Sequence, residues 1–430
     1  MKYHLVDSAL YIKNRKNFMA KMEPNSLAVF NSNDIYPISA DSTIPFQQHR
    51  DILYLSGVDQ EESILVMFPD APYEMHREVL FLKETNAHIA VWEGEKLTKE
   101  RAFEVSGIKA VYWLQDMERV MAELMAQCDT VHINTNEHYR ASIETETREA
   151  RYTKWLFNKY PAHSVAKSNP ILQRLRSVKD PIELDLIQKA CDISEKGLRC
   201  ILGFIKPGVA EYEIEAEFMH EFLSNRSKGF AYTPIVASGN NANVLHYAQN
   251  NQLCKDGDLI LLDAGAEYAN YNSDVTRTIP VNGRSTKRQR DVYEAVNRVR
   301  NEATKLLVPG AIWAYFNIEV GNLMTSELLG LGLIDKADVK NQNPNWPAYK
   351  KYFMHGTSHH MGLDTHDYGL LWEPIKANMV FAVEPGIYIP EEGFGIRLED
   401  DVVIQRTGEP FNLTRNIPIE INEIEDLMNT

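Results

Sequence analysis

The chain has 430 residues, 44% of them hydrophobic, enough for one large core or, since single cores seldom outgrow a few hundred residues, two domains. A formal net charge of −15 and a pI near 5.4 argue against a broad phosphate-binding surface, because nucleic-acid binders carry a basic patch or stripe. The four cysteines, Cys128, Cys191, Cys200 and Cys254, form no CxxC pair and are too few for a disulfide scaffold, so buried, reduced thiols are expected.

In chain order, the opening MKYHLVDSALYIKNRKNFMAKM breaks its apolar residues with charge and has neither a signal-peptide core nor a transit-type helix. No stretch approaches about 18 uninterrupted apolar residues, so a reducing cytoplasm is the expected location. Up to about Pro170, short apolar runs alternate with turns and helical patterns: SLAVF, DILYLSG, ESILVMF, EVLFL and AVWEG, the last reading as a strand that ends in a turn. This predicts a mixed α/β domain over residues 1–175. YPAHSVAKSNP, Tyr160 to Pro170, reads as a loop. Asp180 as N-cap, Pro181 in the first helical position and Glu183 in the third then predict a helix start, with Leu184, Ile187, Cys191 and Gly197 to Ile201 on a buried stripe. The boundary falls between Pro170 and Asp180, and a second domain is expected over 176–430.

That second domain contains a weak internal repeat. Helix, KPG (Lys206 to Gly208), helix recurs as helix, VPG (Val308 to Gly310), helix. Each half then reaches a histidine-bearing loop, at His246 and at His355 to His360, followed by an apolar strand ending in an acid, Asp263 or Glu384, with a glycine two residues on. Second acids, Asp274 and Glu399, are expected from the next strand of each half. Duplicated halves that each give two carboxylates to one centre would build a pseudo-symmetric metal pocket.

Asp263 ends GDLILLD, a turn feeding a buried strand, where an unpaired carboxylate is costly; a loop-capping Asp is the other reading. Asp274 follows 11 residues later, a spacing that suits a strand returning beside the first, and adjacent acids repel unless a cation holds them. Thr276 and Thr278 alternate with Val275 and Arg277, which predicts one polar face. His355, His359, His360 and His366 form the densest histidine cluster of the chain; taken singly each reads as structural, but together they point to a site. The segment is not HExxH. Glu384 ends a second buried strand in VEPG. In GIRLEDD, period-two alternation puts Arg397 and Glu399 on one face, with a cross-strand salt bridge as the alternative. Four carboxylates with one imidazole favour hard divalent ions, Mn²⁺ first. Two such ions about 3.5 to 4 Å apart would hold a bridging hydroxide and polarise a carbonyl, the chemistry of amide or ester cleavage.

At these residues the chain resembles the pita-bread metallopeptidase family, which includes methionine aminopeptidase, prolidase and aminopeptidase P. FQQHRDILYLSGVDQEESILVMF and AVWEGEKL look like the N-terminal domain of the aminopeptidase P branch, which cleaves between a first residue and proline. The resemblance implies an α/β (α+β) pita-bread catalytic domain with a pseudo-two-fold repeat, a mixed α/β domain before it, two divalent ions, Xaa-Pro peptides as substrates and a homodimer or homotetramer. It implies that Asp263 and Asp274 bind one metal, His359 and Glu384 the other, and that Asp274 and Glu399 bridge. Glu384 would also transfer the proton, while His246, His355 and His366 would contact substrate. Arg397 would orient the acids, and Tyr388 matches a tyrosine beside the site. The loop from His366 to Glu384 is shorter than the aminopeptidase P pattern and lacks an arginine found there, which bears on peptide length. Trp92 reads either as core or as reaching the site from its own or a neighbouring subunit. Prolidase, limited to dipeptides, is the nearest alternative, and a non-catalytic binding module a remote one.

Overall fold

In a computed structural model, residues 2–141 and 143–430 are described. They fall into two compact units, Leu5–Arg176 and Ser177–Thr430, the second including the residues before Leu5. That addition was not legible in the sequence. It rests on a hydrogen bond from His4 N to the Tyr268 hydroxyl at 3.3 Å and one from Arg226 Nε to the Lys2 carbonyl at 2.8 Å.

The first unit begins with α1 (Ser8–Met19), β1 (Ser26–Asn31) and a small exposed hairpin, β2 (Pro37–Ser39) and β3 (Ser42–Thr43). DILYLSG forms α2 (Arg50–Ser56), which ends at Gly57 with φ +70°; a Cβ there would fall 2.2 Å from the Tyr11 ring. There follow β4 (Ile64–Met67), β5 (Glu78–Leu82), α3 (Ala87–Glu93), α4 (Lys99–Ser106) and β6 (Ala110–Trp113). After them come α5 (Met117–Met125), β7 (Thr130–Ile133), α6 (Arg148–Lys159), β8 (Ser164–Lys167) and α7 (Asn169–Ser177). The sheet runs β6-β5-β4-β1-β7-β8, parallel at β5/β6, β1/β7 and β7/β8 and antiparallel at β1/β4 and β4/β5. Both faces of β1 are buried, so SLAVF is a continuous apolar run: Leu27 and Val29 pack with Val120 and Leu124, while Phe30 meets Phe18 edge-on.

Two expectations fail here. AVWEG lies at the end of α3 and is not a strand. Asn86 caps that helix by accepting the His88 and Ile89 N–H groups at 3.0 Å each, a local signal that outweighs a short apolar run. Trp92 on it is 79% exposed, which rules out the core reading. YPAHSVAKSNP is not all loop either, since it contains the edge strand β8, whose exposure hides the usual apolar pattern.

The second unit opens with α8 (Pro181–Phe204), capped as the sequence predicts: Asp180 N donates to Glu183 Oε2 at 2.8 Å and Ile182 N to Asp180 Oδ1 at 2.9 Å. Its buried stripe includes Ile187, Cys191, Gly197, Leu198 and Ile201, with Leu184 only half-buried. Next come α9 (Glu211–Ser224), β9 (Ile235–Ser238), β10 (Leu259–Asp263), β11 (Glu267–Tyr268), β12 (Tyr271–Asn272) and β13 (Thr276–Pro280). The chain continues through α10 (Lys287–Leu306), α11 (Trp313–Gly330), α12 (Lys336–Lys340), β14 (Ser358–His360), β15 (Val380–Val383) and β16 (Gly386–Ile389). It ends in β17 (Phe394–Arg397), β18 (Asp400–Val403), β19 (Phe411–Asn412) and α13 (Ile421–Met428).

The repeat is visible in the backbone. α8 and α9 precede the antiparallel sheet β9-β10-β13, and α10 and α11 precede β14-β15-β18. Gly208 N donates to the Cys254 carbonyl at 2.8 Å and Cys254 N to Val209 at 2.9 Å; in the second half Gly310 N donates to Ile375 at 2.9 Å and Ile375 N to Ala311 at 2.8 Å. The same corner is thus fastened the same way twice. Among the described residues no helix is long and apolar enough to cross a membrane. The cysteines are free, with Cys128, Cys191 and Cys254 buried and Cys200 half-buried.

Candidate metal centre

Strand register sets where the acids stand. Asp263 is the last residue of β10, paired with Ile235 on β9 and Thr276 on β13. Gly265 lets the chain turn at once, since a Cβ there would meet the Ser273 carbonyl oxygen at 1.9 Å. The second acids sit slightly differently from expectation. Asp274 lies two residues before β13 and Glu399 between β17 and β18, while Glu384 stands one residue past β15. Acids at strand ends leave their carboxylates out of the ladder and free to converge.

They do converge. Asp274, His359 and Glu399 each offer a ligand atom, all within 4.8 Å of one another. His359 Nε2 lies 3.3 Å from Asp274 Oδ2 and 3.8 Å from Glu384 Oε1. His359 Nδ1 is 3.0 Å from the His360 carbonyl, so it carries the proton and leaves Nε2 for the centre. Asp263 joins through Arg397, whose Nη2 donates to Asp263 Oδ2, whose Nη1 donates to the Tyr388 hydroxyl at 2.9 Å, and whose Nε donates to Thr276 Oγ1 at 3.2 Å. Thr276 in turn donates to Glu399 Oε2 at 2.7 Å. Arg397 and Glu399 therefore meet at one hydroxyl, and the salt bridge of Arg397 runs to Asp263 of the other half, not to Glu399.

The polar-face reading of β13 is half right. Thr276 and Thr278 face the site side, Thr278 Oγ1 donating to the Arg397 carbonyl at 3.0 Å, yet Arg277 is also buried, ion-paired to Asp400 at 2.8 Å. His355 Nδ1 lies 2.7 Å from the Gly356 carbonyl, which makes Nε2 the acceptor for the Tyr388 hydroxyl at 2.8 Å. The His366 ring meets His359 edge-on, centroids 4.4 Å apart. His360 turns away into an apolar wall between Trp313 and Phe381, where burial pushes it down to about 3. His246 is exposed on the β9–β10 connection, close enough for its charge to act on His355.

Burial dominates the electrostatics. It raises Asp263 and Glu399, and mutual repulsion adds to it; Glu384 is lifted to about 7, with His359 and Arg397 opposing. Burial works against charge on His359, but Asp274 and Glu384 outweigh it and hold the imidazole at about 9. His355 is pushed down to about 3, first by burial and then by Arg397, and is neutral. Five carboxylates crowd this network: Asp263, Asp274, Glu399 and Asp401 are buried, Glu384 is half-buried, and Arg397 is ion-paired to Asp263. Such an excess of negative charge is costly without cations, and an all-oxygen set with one imidazole fits hard divalent ions.

Two members were missed in the sequence. Tyr232 donates to Asp263 Oδ1 at 2.6 Å from a loop with no periodicity to mark it. Asp401 accepts the Asp274 N–H at 2.9 Å and was foreshadowed only by the doubled acid after Glu399. The short loop before Glu384 is fastened to the start of α11, with the Leu371 carbonyl accepting Ala314 N at 3.0 Å, and Trp372 is exposed.

A duplicated α/β unit whose strand ends gather buried carboxylates and a histidine defines a metal-dependent hydrolase. Residues 185–406 match metallopeptidase family M24 and residues 11–133 match the aminopeptidase P N-terminal domain. The chain belongs to metallopeptidase family M24, and it is a metal-dependent aminopeptidase, a metallo-exopeptidase of the pita-bread fold. It is 33% identical to the Xaa-Pro aminopeptidase of Escherichia coli K12, covering 97% of this chain and 96% of that one. The figures for the Xaa-Pro aminopeptidase of Haemophilus influenzae are 32%, 96% and 96%. Among solved structures, aminopeptidase PepP of Pseudomonas aeruginosa superposes with a TM-score of 0.89 at 31% identity, covering 99% of this chain and 98% of that one. Proline aminopeptidase P II of Yersinia pestis gives 0.87 at 31%, covering 98% and 99%.

Proposed function

We propose that the protein is an aminopeptidase P, hydrolysing the bond between an N-terminal residue and a following proline in peptides longer than two residues. The observation that carries this reading is the convergence of Asp274, His359 and Glu399 within 4.8 Å, with Glu384 beside them, in a chain whose full-length relatives are Xaa-Pro aminopeptidases. Residues 1–175 are then the N-terminal domain of aminopeptidase P type and 176–430 the catalytic domain, working as a homodimer or homotetramer.

Asp263, Asp274, His359, Glu384 and Glu399 would hold two divalent ions, manganese by the hardness of the donors, and these would supply Lewis acidity and an activated water at neutral pH. Glu384 moves the proton from the attacking water to the departing proline nitrogen, a general acid/base task matched to a carboxylate at the centre. Arg397 holds Asp263, Tyr388 and Thr276 in register. His246, His355 and His366 line the substrate side, with neutral His355 held in place between the Gly356 carbonyl and the Tyr388 hydroxyl. A Xaa-Pro bond is a tertiary amide with no N–H, so the pocket recognises ring shape where general peptidases use that hydrogen bond.

The test is product analysis of the manganese-loaded enzyme on Gly-Pro, Xaa-Pro-Xaa and a longer Xaa-Pro peptide. Release of the first residue from the longer peptides is expected. Cleavage confined to Gly-Pro would overturn the assignment in favour of prolidase.

A further inference from the structure

His246 is exposed on the connection between β9 and β10, and a single buried carboxylate organises the backbone on both sides of it. Glu211, the first residue of α9, accepts through Oε1 the Ser238 N–H at 2.8 Å, the Ser238 hydroxyl at 2.7 Å and the Asn241 side-chain amide at 3.1 Å. Through Oε2 it accepts the Tyr247 hydroxyl at 2.8 Å and the Gln252 N–H at 2.9 Å. Every partner is a donor, and the five contacts bracket His246 in sequence. One helical turn on, Glu215 Oε2 accepts Asn250 Nδ2 at 2.9 Å, while Asn250 Oδ1 accepts Val236 N at 3.0 Å. Tyr247 packs in one apolar cluster with Ala242, Leu261 and Tyr388, the last being the phenol between His355 and Arg397.

A segment of this length would otherwise be among the more mobile parts of the unit. Hydrogen bonds to an ionised acceptor are about twice as strong as neutral ones, and removing the acceptor strands several donors at once. We propose that Glu211 is the positioning residue for His246, holding the 238–252 backbone so that the imidazole is presented to substrate beside His355. This rests on the reading of His246 as a substrate contact.

Glu211→Gln is the sharp test, because its amide N–H₂ points a donor at donors whichever oxygen it replaces. The manganese-loaded variant on Xaa-Pro-Xaa is expected to lose roughly tenfold or more in kcat/KM, as a misplaced substrate contact does. It should retain wild-type metal content, show faster amide exchange over 239–252 with β10 unchanged, and add nothing in a His246→Ala background. An equal loss in both backgrounds, loss of metal, or unchanged exchange over 239–252 overturns the proposal. His246→Ala with full activity instead overturns the reading beneath it. Should Glu211→Gln fail to fold, Tyr247→Phe, which removes one donor, carries the same comparison.

Discussion

Asp401 accepts the backbone N–H of Asp274 at 2.9 Å across 127 residues of sequence, so the second acid of the first half is held by a strand of the second. With Arg397 bound to Asp263 and Thr276 to Glu399, each half supplies the groups that position the other's acids. Neither half alone contains a formed centre.

Replacing Glu384 by Ala tests the proton transfer. We expect kcat to fall by roughly 10²- to 10⁴-fold with circular dichroism unchanged. A fully active variant would remove Glu384 from the chemistry.

Arg397 makes three divergent hydrogen bonds that a single ammonium cannot reproduce. Arg397→Lys should weaken manganese binding by roughly 10- to 100-fold in a calorimetric titration, the usual cost of losing a residue that orients a ligand. Unchanged affinity would show that Asp263 needs no such support.

The His366 ring stands edge-on against His359, one of the proposed ligands, with centroids 4.4 Å apart. His366→Ala should lower kcat far more than metal content measured by elemental analysis. Loss of metal would make it a ligand.

Stripping the ions should leave the buried carboxylates repelling one another. The thermal midpoint of the chelated protein should drop and recover on adding Mn²⁺, the linkage expected of a ligand bound only by the folded state. Identical melting with and without ions would count against a metal centre here.

Glu149 in the first unit offers a pH test remote from the metal. Burial raises its carboxyl to about 8 despite hydrogen bonds from Asn31 N and Nδ2, and Asp51 adds to the rise. A folded pKa above the unfolded value of 4.5 makes its contribution most favourable below pH 4.5 and progressively worse up to about 8. Glu149→Gln should therefore gain stability on the wild type as pH rises from 5 to 9, by up to roughly 4 kcal/mol. A pH-independent difference in urea unfolding would contradict this.

Much of the site was readable because its chemistry is encoded locally. Buried strands ending in Asp263 and Glu384 make sense only if something neutralises those acids, and the capping box at Asp180 is complete within four residues. AVWEG misled for the converse reason: a short apolar run is ambiguous, and Asn86 decided it in favour of helix. The exposed edge strand β8 carries no apolar pattern at all. By itself, the sequence determined the repeat, the five prospective ligands and the family, since these depend on residue types at short spacing. Only the tertiary structure decided that Arg397 serves Asp263, that His360 leaves the site for an apolar wall, and that Tyr232, Asp401 and Glu211 belong to its support. Those are contacts between segments far apart in the chain, and only the packing of the strands and helices chooses among their possible partners.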